Sequence, residues 1–227
     1  MSGRKQLKGK CAYCAKEISK SGAVKHLAAC EQRRKIIVRA DGGKGENEMM
    51  YHLRVQADGL EQFWLDLEMR GSAALKDLDG YLRAIWLECC GHMSGFSTGG
   101  WGSGEIPKTR CTDEVFEPNS KLTHIYDFGT SSVTLIKVIS AREGKPVTRH
   151  PIALMMRNLP PEYECLECGR PAFRLCTECL IEEEKWGVFC DEHARTHPHD
   201  NYGKPEKMAN SPRVGMCGYD GPAEPPY

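Results

Sequence analysis

The stretch YHLRVQADGLEQFWLDLEM, Tyr51–Met69, decides the fold class of this chain. Tyr51, Leu53, Val55 and Ala57 alternate with polar residues, the period-two pattern of a half-buried strand. Asp58-Gly59 turns the chain, and Phe63, Leu65 and Leu67 alternate again, so residues 51–69 read as a β-hairpin. Ser72 then stands as N-cap of a helix over residues 73–88, with Leu75, Leu78, Leu82, Ile85 and Trp86 at helical spacing. Such a helix lays one apolar stripe on the sheet. Residues 91–120, with many Gly, Ser and Pro, read mainly as loop, and Leu122–Phe128 and Val133–Ala141 as two further strands. Strands, a helix and more antiparallel strands make an α+β domain, with Phe63, Trp64 and Trp86 in its core.

On either side of this domain the sequence changes character. Cys11-x2-Cys14 is followed after eleven residues by His26-x3-Cys30. Cys165-x2-Cys168 is followed after seven residues by Cys176-x2-Cys179, and after ten more by Cys190-x2-His193, His197 and His199. A Cys-x2-Cys turn points two thiolates at one metal, and zinc takes four sulfur or nitrogen ligands tetrahedrally. In the first cluster, Ser19 or Ser21 caps a short helix carrying His26 and Cys30, whose i, i+4 spacing sets both on one face. That ligand order resembles a single ββα zinc finger. Its base-reading positions would be Ser19, Gly22 and Lys25, a set suited to holding phosphate or protein rather than reading sequence.

The second cluster offers eight ligands, enough for two ions. Its order resembles the cross-brace of B-box and related treble-clef modules, in which alternate pairs share a metal. That resemblance assigns Cys165, Cys168, Cys190 and His193 to one ion and Cys176, Cys179, His197 and His199 to the other. The alternative is one four-cysteine site of Cys165, Cys168, Cys176 and Cys179, and Cys217 is a substitute for a weak histidine ligand. Three zinc ions per chain are expected in all. Each site closes at four ligands, which leaves no open position for catalysis. Cys89 and Cys90 read as packed thiols, and Cys111 and Cys217 as spare.

Twelve cysteines without a secretory leader favour metal ligation over disulfides and a cytoplasmic setting. Met1–Lys10 is basic with no apolar h-region, and no apolar run approaches a membrane span, so no membrane partner is expected. The net charge of zero hides an asymmetry. Residues 1–44 hold twelve Lys/Arg against three Asp/Glu, a net of +9, and the remainder is at −9. A basic segment around a finger suits phosphate, which makes Lys25, Arg33, Arg34 and Lys35 candidate contacts to DNA or RNA. The C-terminal module is the candidate surface for a protein partner.

Two central stretches carry a family resemblance. One is Leu78-Asp79-Gly80-Tyr81-Leu82 through Gly91-His92-Met93-Ser94-Gly95-Phe96, and the other is His124-Ile125-Tyr126-Asp127-Phe128-Gly129. Both resemble the plasmid-borne Orf-three-like family, also labelled insertion-element passenger, TnpR-like proteins. The family pattern is a strand pair, a helix with an L-D-x-L-type motif, a G-H segment and a later Y-D-F-G. The resemblance covers roughly residues 50–160 and implies a link to mobile elements but no activity. A recombinase would need an activated serine among clustered arginines, which the scattered Arg54, Arg70, Arg83, Arg110, Arg142, Arg149 and Arg157 do not provide.

The expected organisation is a basic zinc finger at 1–39, a flexible linker at 40–49 that uncouples it, and an α+β domain at 50–160. A zinc module at 161–202 and an extended tail at 203–227 follow. The expected function is a non-enzymatic zinc-binding adaptor touching nucleic acid or a nucleic-acid-associated partner. The alternatives are a pure protein–protein module, or an enzyme using His92, His124 and Asp127 with Ser94.

Overall fold

In a computed structural model the described residues are 6–100, 102–219, 221–223 and 225. They divide into two units, one from the described residues of 6–83 and 93–159 and the other from those of 84–92 and 160–225.

The first unit is built on one antiparallel sheet. Its strands are β1 (Lys8–Cys11), β2 (Glu17–Ser19), β3 (Glu48–Ala57), β4 (Trp64–Arg70), β5 (Ser94–Ser97), β6 (Glu105–Ile106), β7 (Lys121–Tyr126), β8 (Ser132–Gly144) and β9 (Ile152–Asn158). They lie in the order β2-β1-β9-β4-β3-β8-β7-β5-β6. The hairpin read from Tyr51–Met69 is β3 and β4, with Leu53 opposite Leu67 and Val55 opposite Leu65. Leu53, Val55, Leu65, Leu67 and Met69 are all fully buried. Helix α3 (Leu75–Leu82) brings Leu75, Leu78 and Leu82, also fully buried, and lies near β5 and β9. The α+β expectation thus holds as mixed helix and antiparallel sheet.

Several expected details differ. The N-cap of α3 is Ala74, whose N–H donates to the Asp77 carboxylate, while Ser72 bonds Glu48. The helix expected over 73–88 ends at Leu82 and gives way to a π-helical turn, Arg83–Leu87. Within the stretch read as loop lie β5 and β6, and β9 comes from an apolar run, Ile152–Asn158, to which no strand had been assigned.

The opposite face of β4 carries charge. Asp66 is fully buried and accepts from His52 Nε2 and from Nε and Nη2 of Arg54, each at 2.9 Å. Glu68, equally buried, is held by Arg33 Nη2 and Arg142 Nη2, each at 2.8 Å. Arg33 lies on α2 (Glu31–Asp41), which follows α1 (Ala23–Ala29). Burial would raise the Glu68 pKa, but the bonds and charges of Arg142 and Arg33 outweigh it and hold the carboxyl below its usual range.

The separate finger and its flexible linker are not what forms. Strand β1 pairs with β9, Gly9 to Asn158 and Cys11 to Met156, so the Cys11–Cys14 hairpin extends the sheet. Cys11, Ala23, Leu27 and Cys30 share a buried cluster with Trp64, Met155 and Met156. A Cβ on Gly9 would stand 2.6 Å from the Trp64 ring, so only glycine admits that approach. The linker is tied down as well: α2 runs to Asp41, whose side chain accepts the Lys145 N–H at 2.9 Å.

The second unit has little regular structure. It contains β10 (Tyr163–Glu164), β11 (Pro171–Ala172), β12 (Arg174–Leu175), α4 (Thr177–Ile181), β13 (Val188–Phe189), α5 (Asp191–Thr196) and β14 (Glu206–Lys207). In one buried cluster of ten residues, four are Cys165, Cys176, Cys179 and Cys190, so candidate ligands replace much of the hydrocarbon that a larger domain would bury there. The tail beyond residue 203 is not simply extended: β14 pairs with β12, and Ser211, Arg213 and Val214 are buried.

Candidate metal centres

The first set forms where a strand, a turn and a helix end meet. Cys11 closes β1, and Cys14 follows in a turn where Ala15, at φ +59°, donates its N–H to the Cys11 carbonyl. Ser19 Oγ accepts the Gly22 N–H and starts the helical turn ahead of α1. His26 projects from α1, and Cys30 stands between α1 and α2. The four ligand atoms lie within 4.8 Å of one another, with Cys14 Sγ 3.4 Å from His26 Nε2.

Two further sets form in the second unit. Cys165 Sγ and Cys190 Sγ stand 3.4 and 3.5 Å from His193 Nδ1, and Cys168 Sγ lies 3.9 Å from Cys190 Sγ. Cys179 Sγ lies 3.3 Å from His199 Nδ1 and 3.4 Å from His197 Nε2, with Cys176 Sγ 3.7 Å from His199 Nδ1. Cys165, Cys168, Cys190 and His193 therefore gather as one group and Cys176, Cys179, His197 and His199 as another. These are the interleaved sets, and the four cysteines Cys165, Cys168, Cys176 and Cys179 do not group together.

The donor chemistry fits zinc. A tetrahedral ion at Zn–S about 2.3 Å and Zn–N about 2.0–2.1 Å spaces its ligands by roughly 3.3–3.8 Å, close to the 3.3–3.9 Å separations given above. Thiolate and imidazole together suit a soft divalent cation, and carboxylates supply none of the ligands. Burial pushes the Cys11 thiol up to about 11 and the Cys179 thiol up to about 12, a penalty on the thiolate that an adjacent cation removes. At Cys165 burial acts the same way, yet the backbone N–H groups of Cys190, Glu167 and Cys168 outweigh it and bring the thiol down to about 6. Arg170 donates to Cys168 Sγ at 3.2 Å and reaches Glu192 on α5, which orients that thiolate from outside the ligand set.

The remaining candidates part company. Of the residues proposed for catalysis, His124 and Ser94 meet at Asp79, whereas the bonds described for Asp127 and His92 go to other groups. His124 is fully buried, and its Nε2 meets Asp79 at 2.8 Å, where Ser94 and Lys108 also donate. Burial holds the His124 pKa below its ordinary value, against the pull of the Asp79 carboxylate. Asp127, at φ +65°, caps its own turn by accepting from Gly129 and Thr130. His92 instead meets Cys90 and Cys217. Of the basic candidates, Lys25, Arg34 and Lys35 are exposed, whereas Arg33 is turned inward to Glu68 and is not available to phosphate. Cys111 pairs by backbone with Ala74. The grouping of Cys89, Cys90, His92 and Cys217 had no signal in spacing, because Cys217 lies 125 residues beyond His92.

No protein-family model matches the chain, and no curated protein matches it. Among solved structures, a protein of unknown function from Methanosarcina mazei is similar at 16% identity and a TM-score of 0.40. The match covers 46% of this chain and 66% of that one, just under two thirds of its length. Among the described residues no helix is long and apolar enough to cross a membrane, and no disulfide joins two cysteines.

Proposed function

We propose that the protein is a zinc-organised, non-enzymatic adaptor with a basic N-terminal face for a polyanion. The observation that carries this reading is closure: each of the three sets foreseen from spacing offers four protein ligands and no open position. On this reading the first site is a finger fused to the sheet, and the two in the second unit form a cross-brace. A cytoplasmic setting goes with it, since thiols there stay reduced.

The basic face is what the nucleic-acid part rests on. Lys8, Lys10, Lys16, Lys25, Arg34, Lys35 and Arg39 are exposed on β1, α1, α2 and their turns. Phosphate binding through them would be salt-sensitive and nearly indifferent to sequence. The resemblance of residues 78–96 and 124–129 to the Orf-three-like family, and with it a mobile-element setting, belongs to the same proposal. The test is elemental analysis together with DNA and RNA titrations over a range of salt. Bound zinc with a steep salt dependence that Lys25→Glu/Arg34→Glu/Lys35→Glu flattens supports the adaptor. Bound zinc with no binding at low salt leaves a protein-contact module, and no bound zinc removes the reading altogether.

A further inference from the structure

A fourth set of ligands sits in the second unit. Cys89, Cys90 and His92 follow the π-helical turn, and Cys217 comes from the C-terminal segment. Cys90 Sγ lies 3.0 Å from His92 Nε2 and 3.3 Å from Cys217 Sγ, His92 Nε2 lies 3.3 Å from Cys217 Sγ, and Cys89 Sγ lies 3.8 Å from Cys90 Sγ. All four ligand atoms fall within 4.8 Å of one another. These separations approximate the edges of a tetrahedral zinc site, roughly 3.3–3.8 Å.

The backbone is shaped to make the group. Gly91, at φ +81°, turns the chain between Cys90 and His92, and its N–H donates to the Glu88 carboxylate at 2.6 Å. Cys217 holds φ +51°, a left-handed conformation unusual for a residue with a side chain. Arg213 is fully buried, with Nη2 3.6 Å from Cys89 Sγ, so a guanidinium stands beside the thiol where a thiolate would gain from it. Ser211 donates to the Trp86 carbonyl at 2.6 Å and accepts the Arg213 N–H at 2.8 Å, which carries the segment to the ligands.

We propose that Cys89, Cys90, His92 and Cys217 form a fourth site for zinc, which fastens the C-terminal segment to residues 84–92. It rests on the zinc reading of the other sites. Cys90 and Cys217 are exposed, whereas in each of the other sets at most one ligand is, so this ion is the first to leave to a chelator. The competing chemistry for the same atoms is a Cys90–Cys217 disulfide, in which two thiols lose two electrons and two protons to an oxidant. His92 would take no part in that bond.

The test uses the full chain purified under a thiol reductant. Elemental analysis is expected to give about four zinc ions per chain, and about three for each of Cys217→Ser and His92→Ala. Tryptic cleavage at Lys207 and Arg213 should rise in both variants while circular dichroism stays close to wild type. Cobalt(II) titration of the wild type should show a fourth equivalent with thiolate charge-transfer absorption, lost in His92→Ala. A wild-type count near three, an unchanged count in His92→Ala, or a Cys90–Cys217 disulfide in the intact mass would overturn the proposal while the other sites stand. A count of zero would remove the whole zinc reading with it.

Discussion

The two units reach order by different means. The first buries Leu53, Val55, Leu65, Leu67 and Met69 beneath Leu75, Leu78 and Leu82, and its metal set is one attachment on a sheet that already has a core. The second has strands of two residues, and its buried cluster leans on four cysteines. Burying an apolar side chain contributes about 1.5–3 kcal/mol, whereas a structural zinc contributes roughly 10–16 kcal/mol of apparent binding energy in small modules. On the proposed zinc reading, the same ligand chemistry is accessory in one unit and constitutive in the other.

The largest expected effect follows from that contrast. Cys190→Ser removes a thiolate shared between packing and ligation, and limited proteolysis should then cleave throughout residues 161–210 while 50–159 stays resistant. Equal resistance with and without a chelator would erase the distinction between the units. Cys11→Ala should behave differently from a detached finger: because β1 pairs with β9, its loss should lower the unfolding midpoint of the first unit as a whole.

Within the first unit, Glu68→Gln leaves Arg33 and Arg142 without their carboxylate in a buried place. Breaking such a pair costs about 3–5 kcal/mol, measurable by urea unfolding of zinc-loaded protein. Gly9→Val, which drives a side chain into Trp64 and the Arg157 carbonyl, should cost about 1–3 kcal/mol and loosen the first metal set. A loss below about 0.5 kcal/mol would mean that β1 does not press on Trp64 as described.

The smallest expected effect is on pH dependence. His124 has its folded pKa held below the unfolded value near 6.5 by burial, so the folded state resists the proton that the unfolded chain accepts. Its contribution is complete above about pH 6.5 and is lost as pH falls from there through the folded value. His124→Gln should flatten the decline of stability between about pH 6.5 and 5, and an unchanged slope would place the decline on other groups.

How much of this was legible in the sequence depended on distance along the chain. The β3–β4 hairpin and the Cys-x2-Cys pairs are local, so alternation and spacing exposed them. Strand β9 was missed because Ile-Ala-Leu-Met-Met is a continuous apolar run without alternation, which periodicity alone does not identify as strand. Missing β9 also hid the docking of β1, and a glycine-rich segment then looked like a free linker. Arg33 looked like a phosphate contact because local charge says nothing of a carboxylate 35 residues away on β4. Cys217 looked spare because its neighbours in space are Cys90 and His92.

Hydrogen exchange of the full chain, zinc-loaded and then chelated, tests the central claim most directly. The account predicts that chelation strips protection from residues 161–219 while amides of β3, β4, β7 and β8 remain protected. Loss of protection in those four strands together with the second unit, or unchanged protection in both, would contradict it.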